Sequence, residues 1–241
     1  MRRSPWLARF AGIVLLLGFG FAGLEFLRGR RGPLPAPTED SKVAGRNMLN
    51  RMLDMTGARW TTTDPVSFIV TPIRFGRPEP DLAIRLDPRS RILSVQPGPG
   101  AGEPIVFDPA DGSLRPDGDA TLRTLLPSID FWAIAPGVFD DPNVILWRLP
   151  DAEGRARVAV RWPNEADWFI LESAPGSDRL ESLEFVDARF GVFLRWRGFY
   201  DGPLPGGAAP LPAAWRFRAA SPVLDALLGR RELVALRFRH N

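Results

Sequence analysis

The sequence predicts an α+β domain dominated by one curved, mainly antiparallel β-sheet and preceded by a single N-terminal transmembrane helix. Short apolar segments with a period of two recur through most of the chain, and turns rich in Asp, Pro, Gly and Ser separate them. These two observations predict the sheet. A third, an apolar segment flanked by arginines at the N-terminus, predicts the transmembrane helix.

The apolar N-terminal segment, within residues 1–32, has the length of a membrane span. Its apolar run is uninterrupted from Phe10 to Leu24 and extends past Glu25 to Leu27, eighteen residues in all. Eighteen helical residues are about 27 Å long, close to the roughly 30 Å hydrocarbon core of a bilayer. A cleaved signal peptide is the alternative, but no A-x-A site precedes the arginine cluster that follows. The residues expected to anchor the chain in lipid are Phe10, Leu15, Leu16, Leu17, Phe19, Phe21 and Leu24.

The orientation of this segment predicts where the protein is located. Three arginines lie on each side of the apolar run, and the first helix of a membrane protein usually dominates its orientation. With the N-terminus inside, we expect a single-pass protein of the inner (cytoplasmic) membrane whose main domain is periplasmic or otherwise extracytoplasmic. The membrane lipid bilayer is then its first partner.

The distribution of charge argues against a nucleic-acid partner. The chain has 31 basic and 28 acidic residues, but six of the basic residues and one acid precede Pro33. The remainder, with 25 basic and 27 acidic residues, has no net attraction for a polyanion. Cysteine is absent, which excludes disulfides, thiolate metal sites, cysteine nucleophiles and acylated cysteines.

Residues 33–38 are predicted to form a short linker, and residues 39–241 a folded domain. The linker sequence, PLPAPT, favours an extended polyproline-type conformation. In the segment that follows, Ala44, Met48, Met52 and Met55 recur at helical spacing, and Gly57 is placed to end the helix. A methionine-rich stripe of this kind is typical of packing against a sheet, and the lining of an apolar binding site is the alternative.

Beyond Trp60 the apolar period changes to two, which predicts strands. The turns between them, as in IRLDPRSRILSV, are those of hairpins, so the sheet is expected to be antiparallel. A helix is predicted at 117–129, where Pro127 is expected to end it, and another at 221–229, with Ser221 as N-cap. The predicted strands cover residues 67–73, 82–86, 91–95, 104–107, 144–149, 157–162, 167–173, 180–186, 190–199, 214–218 and 232–240.

The sequence contains no catalytic or metal-binding motif, and we expect a protein that is not an enzyme and has no cofactor or metal. His240 is the single histidine and lies next to the last residue. Asp140 and Asp141 are adjacent, and an acid-dependent hydrolase that uses them is the minority hypothesis. Four aspartates directly precede a proline, a setting typical of turns: Asp64, Asp87, Asp108 and Asp141.

The aromatic residues are mainly tryptophan and phenylalanine. The chain has eight tryptophans and sixteen phenylalanines against one tyrosine, Tyr200. Most of these side chains are expected in the core, but a concave sheet lined by them would also suit an apolar ligand. The segment 130–147, DFWAIAPGVFDDPNVILW, is expected to cross the open side of the sheet. The candidate ligand-cavity residues are Phe131, Trp132, Phe139, Trp147, Trp162, Trp168 and Trp196.

Four segments within approximately residues 42–218 carry a family resemblance. They are MLDMTGARWTTTDPVSFIV after an amphipathic helix, DFWAIAPGVFDDPNVILW, ADWFILESAPGSDRLESLEF and FYDGPLPGGAAPLPAAWRF. Together they resemble the LolA/LolB-like superfamily of bacterial lipoprotein carriers. The resemblance implies an incomplete β-barrel covered by a few helices, with acyl chains held in its cavity. The absence of cysteine separates this chain from the lipidated members of that group.

These features predict a membrane-anchored protein of the bacterial envelope whose half-barrel binds a lipid, an acyl chain or a lipidated partner without catalysis. The alternative is a structural or assembly scaffold that docks another membrane protein, with the cavity filled by its own side chains. The expected partners are therefore the bilayer, a lipid or lipoprotein ligand and a membrane protein, and no nucleic acid.

Overall fold

The computed structural model describes residues 34–60, 64–96, 103–116, 120–163, 168–186, 195–206, 209–220 and 234–241. In these ranges the chain forms two α-helices, α1 (Glu39–Thr56) and α2 (Ala120–Ile134), and a short 3-10 helix (Gly137–Asp140). The strands are β1 (Val66–Arg74), β2 (Arg77–Pro78), β3 (Leu82–Leu86), β4 (Leu93–Gln96), β5 (Ile105–Asp108), β6 (Ser113–Arg115), β7 (Ile145–Ala152), β8 (Arg155–Arg161), β9 (Phe169–Ser173), β10 (Leu180–Val186), β11 (Arg195–Tyr200), β12 (Ala214–Ala219) and β13 (Val234–His240).

All of these strands belong to one sheet, and its described pairs are antiparallel. The order across the sheet is β6-β5-β4-β3-β1-β13-β12-β11-β10-β9-β8-β7, with β2 paired to the end of β1. Strand β13 therefore lies between β1 and β12 and joins two runs of hairpins, one on each side. The prediction of a large antiparallel sheet with few helices is confirmed.

The sheet curves around a shared interior. Leu114 of β6 and Leu146 of β7 come from opposite ends of the strand order, yet both belong to one core cluster that also contains residues of α1 and α2. We call the face toward this cluster the inner face. A second, smaller cluster of Trp147, Leu149, Ala159 and Ile170 lies on the outer face of β7 to β9.

Helix α1 begins and ends where its sequence predicts. The Thr38 side chain accepts a hydrogen bond from the Ser41 backbone N–H, and the Ser41 hydroxyl accepts one from the Thr38 N–H, which together cap the first turn. Gly57 ends the helix in the left-handed conformation, with a φ of 66° that favours glycine. Met48 and Met52 of the predicted apolar stripe are buried in the core, whereas Met55 is exposed.

Helix α1 also covers the edge of the sheet. Gly45 packs so closely on β7 that a Cβ atom at this position would lie 2.7 Å from the Cα of Trp147 and 2.9 Å from the backbone nitrogen of Arg148. Strand β7 is the last strand in the sheet order. A covered edge strand is shielded from pairing with another chain.

Helix α2 is longer than its sequence predicts. Pro127 was expected to end it, but the helix continues through this residue to Ile134. A proline inside a helix removes one backbone hydrogen bond and costs about 3 kcal/mol. The prediction is wrong because Leu126, Ile129, Trp132 and Ala133 are buried on both sides of the proline, and this packing outweighs the local cost.

The aspartates that precede proline form turns, as expected, at three positions. The carboxylates of Asp87, Asp108 and Asp141 each accept a hydrogen bond from the backbone N–H two residues later, at distances of 2.9, 2.9 and 2.8 Å. This is the Asx-turn geometry that fixes the chain reversal between strands.

The predicted location, a single-pass protein of the inner membrane, is wrong. In the part of the chain that the structure describes, no helix is both long enough and apolar enough to cross a membrane. The residues on which this prediction depended, Phe10 to Leu24 within segment 1–32, lie outside the described residues. The predicted helix at 221–229 also lies outside them, and the division into anchor, linker and domain stays a prediction.

Candidate ligand-binding interior

The last turn of α2 places two aromatic side chains in the interior, and the first of them is Phe131. Its ring centroid lies 5.5 Å from that of Phe169, 5.9 Å from Phe139 and 6.4 Å from Trp162. Phe169 begins β9, Phe139 lies in the 3-10 helix and Trp162 follows β8. These contacts join the end of α2 to one side of the sheet.

The second aromatic side chain, Trp132, packs on the strands further across the sheet. Its ring centroid lies 4.7 Å from Phe217, 4.8 Å from Trp215 and 5.2 Å from Phe185. The indole N–H of Trp215 donates a hydrogen bond of 3.0 Å to the Trp132 carbonyl. A carbonyl in the last turn of a helix lacks an intrahelical donor, so this bond satisfies a buried acceptor and fixes α2 on β12.

An ion pair joins α2 to the turn between β3 and β4. The carboxylate of Asp130, which is buried, accepts hydrogen bonds from Arg91 in the turn between β3 and β4. Arg91 has a φ of 59°, in the left-handed region. Burial raises the pKa of Asp130 above its ordinary value, and the nearby guanidinium of Arg91 opposes this rise.

The inner face is unequally buried at its two rims. We define the upper rim as the one where β3, β5, β9, β11 and β13 begin, and the lower rim as the one where they end. The large inner side chains at the lower rim are buried, and the smaller Val66 there is partly buried; the buried ones are Leu86, Leu93, Leu180, Tyr200 and Trp215. At the upper rim five inner side chains are only partly buried, although Phe185 opposite Trp196 is buried: Leu82, Ile105, Phe169, Trp196 and Val234. Among the described residues, partly buried inner side chains are therefore more common at the upper rim than at the lower one.

A hydrogen bond between elements distant in sequence helps to close the lower rim. The hydroxyl of Thr56, at the end of α1, accepts a hydrogen bond of 3.0 Å from the backbone N–H of Leu180, the first residue of β10. Both residues are buried. Helix α1 is thus fixed against the lower rim, to which Arg91 and Trp215 also tie the end of α2.

The sheet divides the seven predicted cavity residues between its two faces. Five of them belong to the inner cluster or pack against it: Phe131, Trp132, Phe139, Trp162 and Trp196. Trp147 and Trp168 belong to the outer cluster, against which Leu34 also packs. Whether any of the seven contacts a ligand stays a prediction.

The carboxylates considered for catalysis have structural partners. Asp140 forms ion pairs with Arg59 at 2.7 Å and with Arg46 at 3.5 Å, and Asp141 forms the turn into β7. The His240 imidazole is exposed and lies 3.2 Å from the Pro205 carbonyl oxygen. Among the described residues no group of three or more acidic or histidine side chains is placed to hold a metal ion.

Sequence analysis did not identify the inner phenylalanines of the strands or a charged cluster on the outer face. Phe217 alternates with Arg216 and Arg218, and this alternation was an available signal, whereas Phe169 is flanked by apolar neighbours and has no such signal. On the outer face, Glu172 and Glu184 are buried, and Arg197 lies 3.4 and 3.5 Å from their carboxylates. The sequence of each strand shows these charged residues, but it does not show that the fold buries them next to one another.

Among known proteins, the chain is similar to solved structures and to no family model or curated protein. A LolA superfamily protein from Nitrosomonas europaea has 12% sequence identity and a TM-score of 0.46, over 81% of this chain and 91% of that one. The chain is similar to a LolA superfamily protein. The resemblance stated from the sequence is to the same superfamily.

Two further solved structures are similar over comparable shares of the chain. A putative outer membrane lipoprotein-sorting protein domain from Vibrio parahaemolyticus has 10% identity and a TM-score of 0.42, over 82% of this chain and 92% of that one. A DUF1329 family protein from Desulfovibrio piger has 10% identity and a TM-score of 0.40, over 83% and 91%.

Proposed function

We propose that the protein binds a lipid, an acyl chain or a lipidated segment of a partner in its aromatic interior, without catalysis. The observation that carries this proposal is the partial exposure of large inner side chains at the upper rim, among them Phe169 and Trp196, while the large inner side chains at the lower rim are buried. Apolar surface that stays in contact with water favours an apolar ligand that would cover it.

The inner face has the chemistry that an acyl chain requires. Phe131, Trp162 and Phe169 are partly buried and contact one another, so they present a continuous aromatic surface. Each methylene group that moves from water onto such a surface contributes about 0.8 kcal/mol. Six methylenes would therefore contribute about 5 kcal/mol before the entropy cost of binding is subtracted.

The proposal is tested with a fluorescent fatty-acid probe and two matched tryptophan variants. Trp162 and Trp168 are both partly buried and close in sequence, but Trp162 packs on the inner cluster and Trp168 on the outer one. After removal of co-purified lipid, the wild-type protein should bind the probe, and Trp162→Leu should weaken binding about tenfold because one aromatic contact is lost. Trp168→Leu should leave affinity unchanged.

Two results would contradict the proposal. The first is a folded wild-type protein that binds no probe at any accessible concentration. The second is an equal loss of affinity in the Trp162 and Trp168 variants, since binding would then be independent of the inner face.

A scaffold that docks a membrane protein is the second candidate, and one observation favours it. Phe139 is completely buried and Trp132 is 7% exposed, and both contact other aromatic rings, so a large part of the interior is filled by the protein itself. A folded protein that binds no acyl probe but crosslinks to a single membrane protein in native membranes would support this function. A native mass spectrum with bound lipid would count against it.

A further inference from the structure

The hairpin that joins β1 to β2 carries an exposed aromatic side chain at its tip. Arg74 and Arg77 pair with each other, so the turn between them consists of Phe75 and Gly76. Phe75 is 79% exposed, more than any other large hydrophobic side chain that the structure describes. A Cβ atom at Gly76 would meet no other atom within 4 Å, so the tip stands clear of the folded chain.

The backbone of this tip disfavours phenylalanine. Phe75 and Gly76 have φ values of 49° and 75°, both in the left-handed region, as in a type I′ turn. Asparagine, aspartate and glycine adopt this conformation readily, whereas a bulky residue does so at an energetic cost. Exposure adds a second cost, because the ring stays in water. Asparagine would avoid both costs, which indicates that the ring serves a contact outside the folded chain.

The hairpin between β7 and β8 shows the same turn without an aromatic residue. Its two turn residues, Glu153 and Gly154, have φ values of 52° and 71°. Glu153 is exposed and charged, which is usual for a tip that stays in water. This turn lies at the lower rim, because β9 ends there and the antiparallel β8 begins there. The same geometry therefore carries an acid at the lower rim and an aromatic ring at the upper rim.

The β1–β2 hairpin extends past the upper rim. Leu82, the first residue of β3, pairs with Val70, and β1 continues as far as Arg74. These four further residues carry the tip about 13 Å beyond the start of β3, at roughly 3.3 Å per residue. Phe75 thus lies beyond the rim at which the side chain of Leu82 is only partly buried.

The charges next to Phe75 are mainly positive. Residues 74–79, RFGRPE, contain two arginines and one glutamate. Arg74 lies 3.0 Å from the carboxylate of Glu79, and Arg77 is exposed. A guanidinium group binds phosphate oxygens well, and a cationic side chain near an anionic lipid surface strengthens binding. An aromatic ring flanked by arginines matches a bilayer surface, where phosphates lie above acyl chains.

We propose that the Phe75 hairpin docks the protein on an anionic phospholipid bilayer, with Phe75 at the boundary between headgroups and acyl chains and Arg77 on lipid phosphates. The upper rim then faces the membrane. A protein partner is a poorer match, because a stable protein interface buries about 800 Å² on each side and this tip presents one apolar side chain. The inference goes beyond the proposed function, since docking needs no ligand in the interior.

The first test labels the two hairpin tips one at a time, which the absence of cysteine allows. Full-length Phe75→Cys and Glu153→Cys proteins are each labelled with nitrobenzoxadiazole and mixed with vesicles of equal parts phosphatidylglycerol and phosphatidylcholine. Emission at position 75 should shift to shorter wavelength and be quenched by nitroxide-labelled lipid, and emission at position 153 should show neither effect. Both proteins contain residues 1–33, so any contribution of that segment is common to both.

The second test compares full-length proteins that differ in one residue. Phe75→Asn creates the preferred Asn-Gly turn, so thermal unfolding should show a fold at least as stable as that of the wild-type protein. Its partition onto the anionic vesicles should fall about tenfold, because the phenyl ring no longer enters the bilayer. Arg77→Gln should lower partition about fivefold on these vesicles and much less on pure phosphatidylcholine. Glu153→Asn, the matched change at the lower rim, should not lower it.

The outcomes separate docking from ligand binding. Equal behaviour of the two labels, or unchanged partition of folded Phe75→Asn, would overturn docking through this tip and leave binding of the acyl probe intact. A protein that binds no acyl probe but inserts position 75 into vesicles would overturn the proposed function and keep this inference. With p-benzoylphenylalanine in place of Phe75, crosslinks to lipid in native membranes would support docking, and crosslinks to a protein alone would overturn it.

Discussion

Replacement of Gly45 by alanine tests whether α1 is held against the backbone of β7. Alanine is favoured over glycine inside a helix by about 1 kcal/mol, so helix propensity alone predicts stabilisation. The new Cβ atom would, however, lie 2.7, 2.8 and 2.9 Å from the Cα and carbonyl carbon of Trp147 and the nitrogen of Arg148. These are backbone atoms in a paired strand, and they cannot rotate away as a side chain can.

We expect the steric term to outweigh the propensity term at Gly45. Overpacking typically costs about 1 to 3 kcal/mol, and contacts with fixed backbone belong at the upper end of that range. The net effect of Gly45→Ala is then a loss of about 2 kcal/mol, and the melting temperature should fall by about 4 to 8 °C. Thermal unfolding followed by circular dichroism measures the change.

The adjacent exposed position supplies the control for this prediction. Ala44 is exposed on the same helix, so Ala44→Gly reports propensity without a change in packing. It should lower the free energy of unfolding by about 1 kcal/mol. If Gly45→Ala instead raised the free energy of unfolding by about 1 kcal/mol, the amount that Ala44→Gly is expected to lose, the close approach of α1 to β7 would be refuted.

Two further predictions concern polar groups that fix the helices. Asp130 has a folded-state pKa above its ordinary value of 3.8, so the folded protein binds more protons than the unfolded chain and its stability falls as pH rises through that window. Asp130→Asn removes this titrating group. Denaturant unfolding between pH 3 and 7 should therefore show that the free energy of unfolding of the wild-type protein, relative to that of Asp130→Asn, decreases as pH rises. A difference that does not change with pH would contradict the prediction. Thr56→Val should lower the free energy of unfolding by about 1 to 2 kcal/mol because the buried N–H of Leu180 loses its acceptor. Thr56→Ser keeps the hydroxyl and should lose less; a larger loss in Thr56→Ser than in Thr56→Val would show that the methyl group contributes more than the hydrogen bond.

Elements determined by neighbouring residues could be predicted from the sequence. Helix α1 follows from the spacing of Met48 and Met52 and from Gly57, whose left-handed conformation ends it. Helix α2 could not be bounded in this way, because burial of Ile129 and Trp132 beyond Pro127 is a property of the assembled interior. Capping residues and apolar spacing predict where a helix begins and ends only if no tertiary contact overrides them.

The candidate site was harder to predict, because alternation gives two faces but does not show which is the inner one. In β7, Leu146 faces inward and Trp147 outward, and both are buried. In β10 the register shifts between Leu180 and Ser182, so Leu180 and Leu183 both reach the inner cluster although they lie three positions apart, an odd number. A bulge of this kind resets the period of two, and the sequence of the strand carries no mark of it.

The position of β13 has a consequence for the order of assembly. Strands β1 and β13 pair residues as far apart as Phe68 and His240, and β13 separates the hairpins of β1 to β6 from those of β7 to β12. Each run can fold from local contacts, but the sheet is not continuous until residues 234–240 are available, and such long-range pairing is slow. During synthesis on the ribosome, β1 and β12 would therefore expose unpaired edges until this late strand is inserted, and exposed strand edges favour aggregation.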